Sequence, residues 1–455
     1  MKKARILIIS LLLLTNFTLT LSSSHADLKG YVSKPDPTYS YELVDTKEFQ
    51  GCKVKIIQLT SQTWQNIVWT HWLVLLCPPE VKDSDIAMLI ISGGSNRQKE
   101  PNLNSLELKI ATMVAQKTNS VIAVLSQVPN QPLFDGRNED EIIAYTYDKY
   151  LNGEGEEWPL LLPMVKSAIR AMDTIQLVQK EKDNHQINRF VLTGGSKRGW
   201  TTWLTSATGD PRVVAIAPAV IDVLNMKRQM FHQLECYGTF SSEIEDYTRL
   251  KIPHRMHSTK GEQLLSIVDP YSYRNSLTLP KLLILGTNDP YWTVDSANLY
   301  FPDFPPPKYL CYQANTGHDA SPTGIATLAE FFLMIKENKL FPSVSWEISK
   351  RNTITVKWEN NPQGTAYLWK ADSNNRDFRQ SKWVSTPLKG KGKVKTKLPQ
   401  PKTGWTAYYI EVRFPGSFGN PYSICTQVKV LPENKYPFQV DKENVKAIPV
   451  DLTKN

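Results

Sequence analysis

Histidine and cysteine are both scarce in this 455-residue chain, with seven copies of one and five of the other. The thiols, Cys52, Cys77, Cys236, Cys311 and Cys425, form no CxxC pair and no Cys/His spacing of a zinc site, and their odd number leaves at least one unpaired within a monomer. His254 and His257 lack both a third ligand and the glutamate of a zincin, so they read as surface of an inserted segment. No metal and no cofactor is expected. Beyond residue 26 no apolar run approaches the ~20 residues of a membrane span, and no internal repeat is present. Lys plus Arg number 53 against 44 Asp plus Glu, a formal +9, yet no base-reading or stacking motif accompanies the excess, which argues against a nucleic-acid partner. What the chain does have is aromatics, with 12 Trp, 19 Tyr and 15 Phe in a 41 % hydrophobic sequence. That composition excludes a disordered protein and points to folded domains with full cores.

The N-terminus sets the compartment. Lys2, Lys3 and Arg5 precede an apolar stretch over 6–14, which Thr15, Asn16, Thr18 and Thr20 interrupt before Ser24-His25-Ala26. This is the pattern of a secretory signal peptide cleaved after Ala26, so a secreted or periplasmic protein is expected. Cleavage removes three basic residues and no acidic one, leaving a mildly basic chain with a weak preference for anionic surfaces such as a cell envelope.

Strand-like runs over 54–60 and 67–76 come first. An apolar run over 86–91, a helical stretch over 106–116 and a second run over 121–125 then make a strand-helix-strand unit of a buried parallel sheet. Helices over 160–179, 197–205 and 324–337 alternate with strands over 189–193, 213–217, 282–286 and 309–314, so the fold class is α/β. The polar, poorly periodic stretch 224–279 reads as an inserted helical lid. After Phe341-Pro342, seven short strands over 344–348, 353–358, 366–370, 382–384, 391–397, 407–414 and 423–430 predict a separable β-sandwich of fibronectin or immunoglobulin kind. Trp346, Trp358, Trp369, Trp383 and Trp405 are expected mainly in its core, and the alternating lysines over 389–397 on a solvated strand edge. The expected organisation is a signal peptide 1–26, an α/β domain 27–340, a β-sandwich 341–434 and a tail 435–455.

Phe190-Val191-Leu192 runs into Thr193-Gly194-Gly195-Ser196-Lys197-Arg198-Gly199 and a helix, the place where a strained strand-to-helix turn exposes a nucleophilic serine. Arg198 stands where the second glycine of G-x-S-x-G is expected, and Gly199 follows one position later. A plain or phosphate-binding turn is the alternative. A serine needs a base and an orienting acid. Of the seven histidines, His318 alone follows the last strand, in Asn315-Thr316-Gly317-His318-Asp319, and Asp289 ends the strand before it. The order Ser196, Asp289, His318 is that of the α/β-hydrolase fold. Asp222, one strand earlier, is the alternative acid. Backbone N–H groups of Lys197 and of Gly94 and Ser95 are the candidates for an oxyanion hole. Lys197 and Arg198 allow two readings: a basic side chain reaches the pocket and prefers a substrate with an acidic group, or Arg198 is ion-paired beneath the elbow while Lys197 faces solvent.

Leu59-Thr60-Ser61-Gln62-Thr63-Trp64, Trp69-Thr70-His71-Trp72, the stretch Thr193 to Trp200 and Gly286-Thr287-Asn288-Asp289 together resemble the PhoPQ-activated pathogenicity-related proteins, from about Tyr39 through the C-terminal strands. The resemblance implies a secreted or periplasmic α/β-hydrolase relative linked to envelope stress or virulence, with a eukaryotic branch similar to secreted proliferation repressors. The elbow is also similar to the G-C-S-R-x-G of glucuronoyl esterases, with Gly195 and Lys197 in place of cysteine and arginine. The expectation is a serine hydrolase acting on a small-molecule ester or a peptide, the ester preferred. A catalytically silent hydrolase fold used for signalling or surface binding is the alternative.

Overall fold

The computed structural model describes residues 27–81, 84–359 and 363–441. The expected signal peptide and the end of the tail lie outside them. Helix α1 (Leu28–Ser33) precedes three long strands, β1 (Ser40–Phe49), β2 (Cys52–Trp64) and β3 (Ile67–Cys77). Strand and helix then alternate through β4 (Ile86–Ile91), α2 (Leu106–Thr118), β5 (Val121–Leu125), α3 (Glu139–Leu151), α4 (Leu161–Asp183), β6 (Arg189–Gly195), α5 (Lys197–Ala207) and β7 (Val213–Ala219). The inserted segment is helical as expected, with α6 (Met226–Tyr237), α7 (Glu245–Arg249), α8 (Ile252–Arg255) and α9 (Thr259–Val268) before β8 (Lys281–Gly286), β9 (Lys308–Gln313) and α10 (Pro322–Lys336).

These nine strands form one sheet in the order β1-β2-β3-β5-β4-β6-β7-β8-β9. The first three neighbour pairs are antiparallel and the rest parallel. β5 is buried along its whole length and β4 and β8 nearly so, which is why they read as continuous apolar runs. β1 alternates exposed and half-buried residues and carries Glu42, Lys47 and Glu48, a charged edge that resists further pairing. Because β5 lies on one side of β4 and β6 on the other, strand order reverses at β4. The crevice beyond the carboxyl ends of β4 and β6 is therefore the natural ligand position in such a sheet. Ile91 of β4 pairs with Gly194 of β6 at that point.

Two helices were not legible in the sequence. In α3 the buried face is Ile142, Ile143, Tyr147 and Tyr150, and tyrosine is a middling helix former, so burial rather than propensity carries the helix. α1 is six residues long, below the length at which periodicity is readable.

The C-terminal region forms two antiparallel sheets from β10 (Val344–Ile348), β11 (Thr353–Trp358), β12 (Thr365–Ser373), β13 (Val384–Leu388), β14 (Lys393–Lys397), β15 (Trp405–Phe414), β16 (Tyr422–Cys425) and β17 (Lys429–Leu431). The single strand expected over 423–430 is two, because the Thr426 side chain, not a strand carbonyl, accepts from the Ile410 N–H at 3.0 Å. β14 is an edge strand with Lys393, Lys395 and Lys397 exposed. Trp358, Trp383 and Trp405 are buried, while Trp346 and Trp369 are half-buried. One apolar cluster joins Leu192, Trp203 and Tyr300 to Phe378, Trp383 and Tyr409, and a second joins Ile284 and Phe331 to Val356 and Ile410. Both clusters thus cross the expected boundary near residue 341, which marks where helical periodicity ends.

Candidate active site

Ser196 sits between β6 and α5 with φ 57° and ψ −127°, a strained conformation for a residue with a side chain. Its neighbours explain how the turn stays tight. A Cβ on Gly194 would lie 2.8 Å from the Arg198 backbone carbonyl, and one on Gly199 would lie 2.9 Å from the carbonyl oxygens of Ala219 and Gly194. Gly195, by contrast, has 3.8 Å to its nearest neighbour and would accept a side chain. The close approach falls at Gly199 and not one position earlier, which frees position 198 for arginine and accounts for the altered spacing of the motif.

Asp289 and His318 meet at the ends of adjacent strands β8 and β9. His318 Nδ1 lies 2.7 Å from Asp289 Oδ2, and the other carboxylate oxygen accepts from the Tyr291 N–H at 2.9 Å. His318 Nε2 is buried without a hydrogen-bond partner among the described residues. Ser196 and His318 line one open groove together with Gly93, Arg198 and Leu328. The ring of Tyr291 rests on the imidazole, with centroids 4.3 Å apart. The two loops are also tied to each other: the Asn288 N–H donates to Thr316 O at 3.0 Å, and the carbonyl of Gly317 packs so closely on Gly286 that a Cβ there would clash.

The connection between β12 and β13 of the C-terminal region holds both loops from outside. Asn288 Nδ2 faces the carbonyls of Phe378, Arg379 and Ser381, the shortest contact being 2.8 Å to Ser381. Asn315 donates to Trp383 O at 3.0 Å and accepts from its N–H at 2.8 Å. Arg376 reaches further in, pairing with Asp295 at 2.7 Å, while His232 of the lid holds the other Asp295 oxygen at 2.8 Å. Burial works against the His232 charge, but Asp295 outweighs it and holds the imidazole up at about 10. Cys236 lies against the Arg376 Nε at 3.2 Å, so this trio of metal-type side chains already has a protein cation among it. Tyr436, in the tail, covers the Arg376 guanidinium at 4.5 Å.

The alternative acid, Asp222, is not beside the imidazole. It accepts from the Tyr300 hydroxyl at 2.6 Å, and burial pushes its carboxyl up to about 8. His71, whose Nε2 is 3.0 Å from Ser61, is pulled down to about 4 by burial, and His185 is bonded within the core. All five cysteines are buried free thiols.

At the elbow the ion-paired reading of Arg198 is what the structure has, and three expectations need correction: Arg198 as a substrate contact, Lys197 in solvent, and Gly94 and Ser95 at the groove. Arg198 forms a bidentate pair with Glu139 at 2.7 and 2.8 Å and also donates to Val128 O, so its charge is spent within the protein and not on a substrate. Lys197 does not face solvent in exchange. It is buried, with its ammonium 2.8 Å from Glu139 and 3.2 Å from Asp140. Burial opposes ionisation of Glu139, but Arg198 and Lys197 prevail and hold its carboxyl down at about 2. Third, the residues of the loop after β4 that line the groove are Ser92 and Gly93, and the Ser92 N–H is already bonded to Leu125 O at 2.8 Å. Gly94 packs on Gln127 and Ser95 bridges to Gln131, and neither lines the groove. The sequence does not single out Glu139, Asp140, Asn288, Tyr291 or Asn315 as site residues. Their only sequence signal was adjacency, as an acidic triplet opening a helix and as asparagines beside the acid and the base.

Sheet order, a strained serine at the switch point and an Asp–His pair at the ends of β8 and β9 define the chain as an α/β-hydrolase fold. Residues 28–379 match the model of the PhoPQ-activated pathogenicity-related proteins, and the chain belongs to that family. It is 31 % identical over 478 residues to autocrine proliferation repressor protein A of Dictyostelium discoideum, with 94 % of each chain covered. Among solved structures it is similar to acetyl xylan esterase 1 of a Thermoanaerobacterium species, at 14 % identity and TM-score 0.46 over 68 % of this chain and 92 % of that one. It is also similar to a glucuronoyl esterase of Solibacter usitatus, at 12 % identity and TM-score 0.41 over 67 % and 86 %.

Proposed function

We propose that the protein is a secreted serine hydrolase that cleaves a carboxylic ester through Ser196, His318 and Asp289. The observation that carries this reading is the 2.7 Å bond from His318 to Asp289, with Nε2 left unpartnered in the groove it shares with Ser196. Asp289 fixes the tautomer with its proton on Nδ1, so Nε2 takes the Ser196 proton as the hydroxyl attacks and returns it to the leaving oxygen. Backbone N–H groups of Lys197 and Gly93 serve as the oxyanion hole, each worth ~10²–10³ in rate. An ester is the first substrate to test because an alkoxide leaves with less protonation than an amine. Export rests on the leader over 1–26 and is checked by N-terminal sequencing of the mature chain. The two C-terminal sheets are read as a sandwich of fibronectin or immunoglobulin kind, and the family's description supports a link to virulence.

A fluorophosphonate probe tests the assignment. Covalent labelling of the wild type and none of Ser196→Ala or His318→Ala is expected; equal labelling of all three would falsify it. The second reading, a silent fold used in signalling, draws on the relative named as a proliferation repressor. It predicts no labelling of the folded wild type and a biological effect undiminished in Ser196→Ala.

A further inference from the structure

Two hollows meet at Ser196. One is the open groove that also contains His318. The other lies beneath the lid, with walls that include Trp200, Met226, Met230, Ile244, Tyr247 and Met256, and has a cavity volume of about 40 Å³. At the ~10–15 Å³ that one water-sized group needs, it has room for a short chain. Lys197 and Asp140 also border it, but their charges are matched: Lys197 pairs with Glu139 and Asp140, and Asp140 accepts from the Tyr247 hydroxyl at 2.9 Å. An acidic group entering here has apolar walls to face and must break an existing pair. Three methionines in the lining suit a chain of variable shape, since the thioether side chain repacks at little cost.

The imidazole decides which part of the substrate occupies which hollow. Its Nε2 must reach the leaving oxygen, and His318 lines the groove and not the lid pocket. The leaving group therefore lies in the groove and the acyl group points the other way. We infer that the lid pocket is the acyl pocket and that the substrate is an ester of an apolar carboxylic acid. This assignment rests on the serine-hydrolase reading. In the first step a bond forms between Ser196 Oγ and the acyl carbon while the carbon–alkoxy bond breaks, and the alcohol departs with the proton that His318 took from Ser196. Water then adds its hydroxyl to the acyl carbon, freeing the apolar acid, and its proton returns through His318 to Ser196.

Binding separates the pocket from the chemistry. Methyl esters from acetate to octanoate are titrated calorimetrically into Ser196→Ala, which cannot cleave them. Affinity is expected to rise about fourfold per methylene, the factor that ~0.8 kcal/mol per buried CH₂ gives, until the pocket is full. Met230→Trp, which fills the pocket, should shorten the optimum, and the hemisuccinate should bind more weakly than the pentanoate of matched length. Affinity independent of chain length, or strongest for the hemisuccinate, overturns the acyl-pocket assignment, whatever Met230→Trp does. The hydrolase reading is judged separately by fluorophosphonate labelling of the wild type. Chain-length-dependent binding without labelling would reject that reading while supporting the pocket as an apolar ligand site.

Discussion

Ser196 and its two proposed partners are held in place by different means. The turn at Ser196 is made by its own neighbours, through Gly194 and Gly199 and the strand-helix junction they allow. The loops carrying Asp289 and His318 are held through Asn288 and Asn315 by carbonyls and an N–H of residues 378–383, with up to 93 residues between partners. A catalytic turn can be a local device, whereas the relative position of an acid and a base on two loops is a long-range property. In this protein the connection between β12 and β13 supplies it.

The sharpest break between the two regions is chemical. Asp289→Asn should lower kcat by up to ~10⁴, the cost of a wrong tautomer in a serine-protease triad. Asp222→Asn should leave kcat within about tenfold, because Asp222 is bonded to Tyr300 and not to the imidazole. Steady-state kinetics on the cleaved ester checks both, and a mild Asp289→Asn beside a crippled Asp222→Asn would move the acid to the earlier strand.

Next in size is the buried tie between the regions. Arg376→Met leaves Asp295 with His232 alone and should destabilise the protein by about 3–5 kcal/mol, as breaking a buried pair does. Denaturant unfolding measures it; a loss below about 1 kcal/mol means the tie is dispensable. Gly194→Ala should then cost about 10²-fold in kcat by displacing the elbow, since misplacements of about 1 Å have that effect. Gly195→Ala should be nearly neutral, and equal effects of the two substitutions would contradict the close approach at Gly194.

Asn288→Ala removes the donor that faces three carbonyls and should cost about 1–3 kcal/mol of stability. As a positioning residue, Asn288 should affect kcat more than KM, and Asn288→Gln should restore less than half the lost rate. A KM-only effect would refer the clamp to substrate binding instead.

The remaining prediction concerns pH dependence, read as a slope and not as a loss at one pH. Asp222 is raised by burial from 3.8 to about 8, so its contribution to stability is fully present below pH 3.8 and fades as pH rises through about 8. Asp222→Asn, which keeps an oxygen to accept from Tyr300, should flatten the fall of Tm across that window. An unchanged slope by calorimetry would assign the alkaline loss to another group.

The parallel sheet and the chain order of serine, acid and base were legible because they are written in local periodicity. Continuous apolar runs mark β4, β5 and β8, and glycines mark the turns that follow β4 and β6. The helices α1 and α3 were not legible, one for brevity and the other because its tyrosines are buried by neighbours that the sequence does not bring near. By itself the sequence determined the fold class and singled out Ser196, His318 and two rival acids as candidates at strand ends. Only the tertiary structure decided that Asp289 and not Asp222 meets the imidazole. It alone decided that Arg198 is neutralised by Glu139, 59 residues earlier in the chain, and that an apolar pocket and not a cationic one faces Ser196. The reason is physical: the charge and polarity that a site presents depend on which distant groups burial forces into pairs, and such pairing leaves no trace in local spacing.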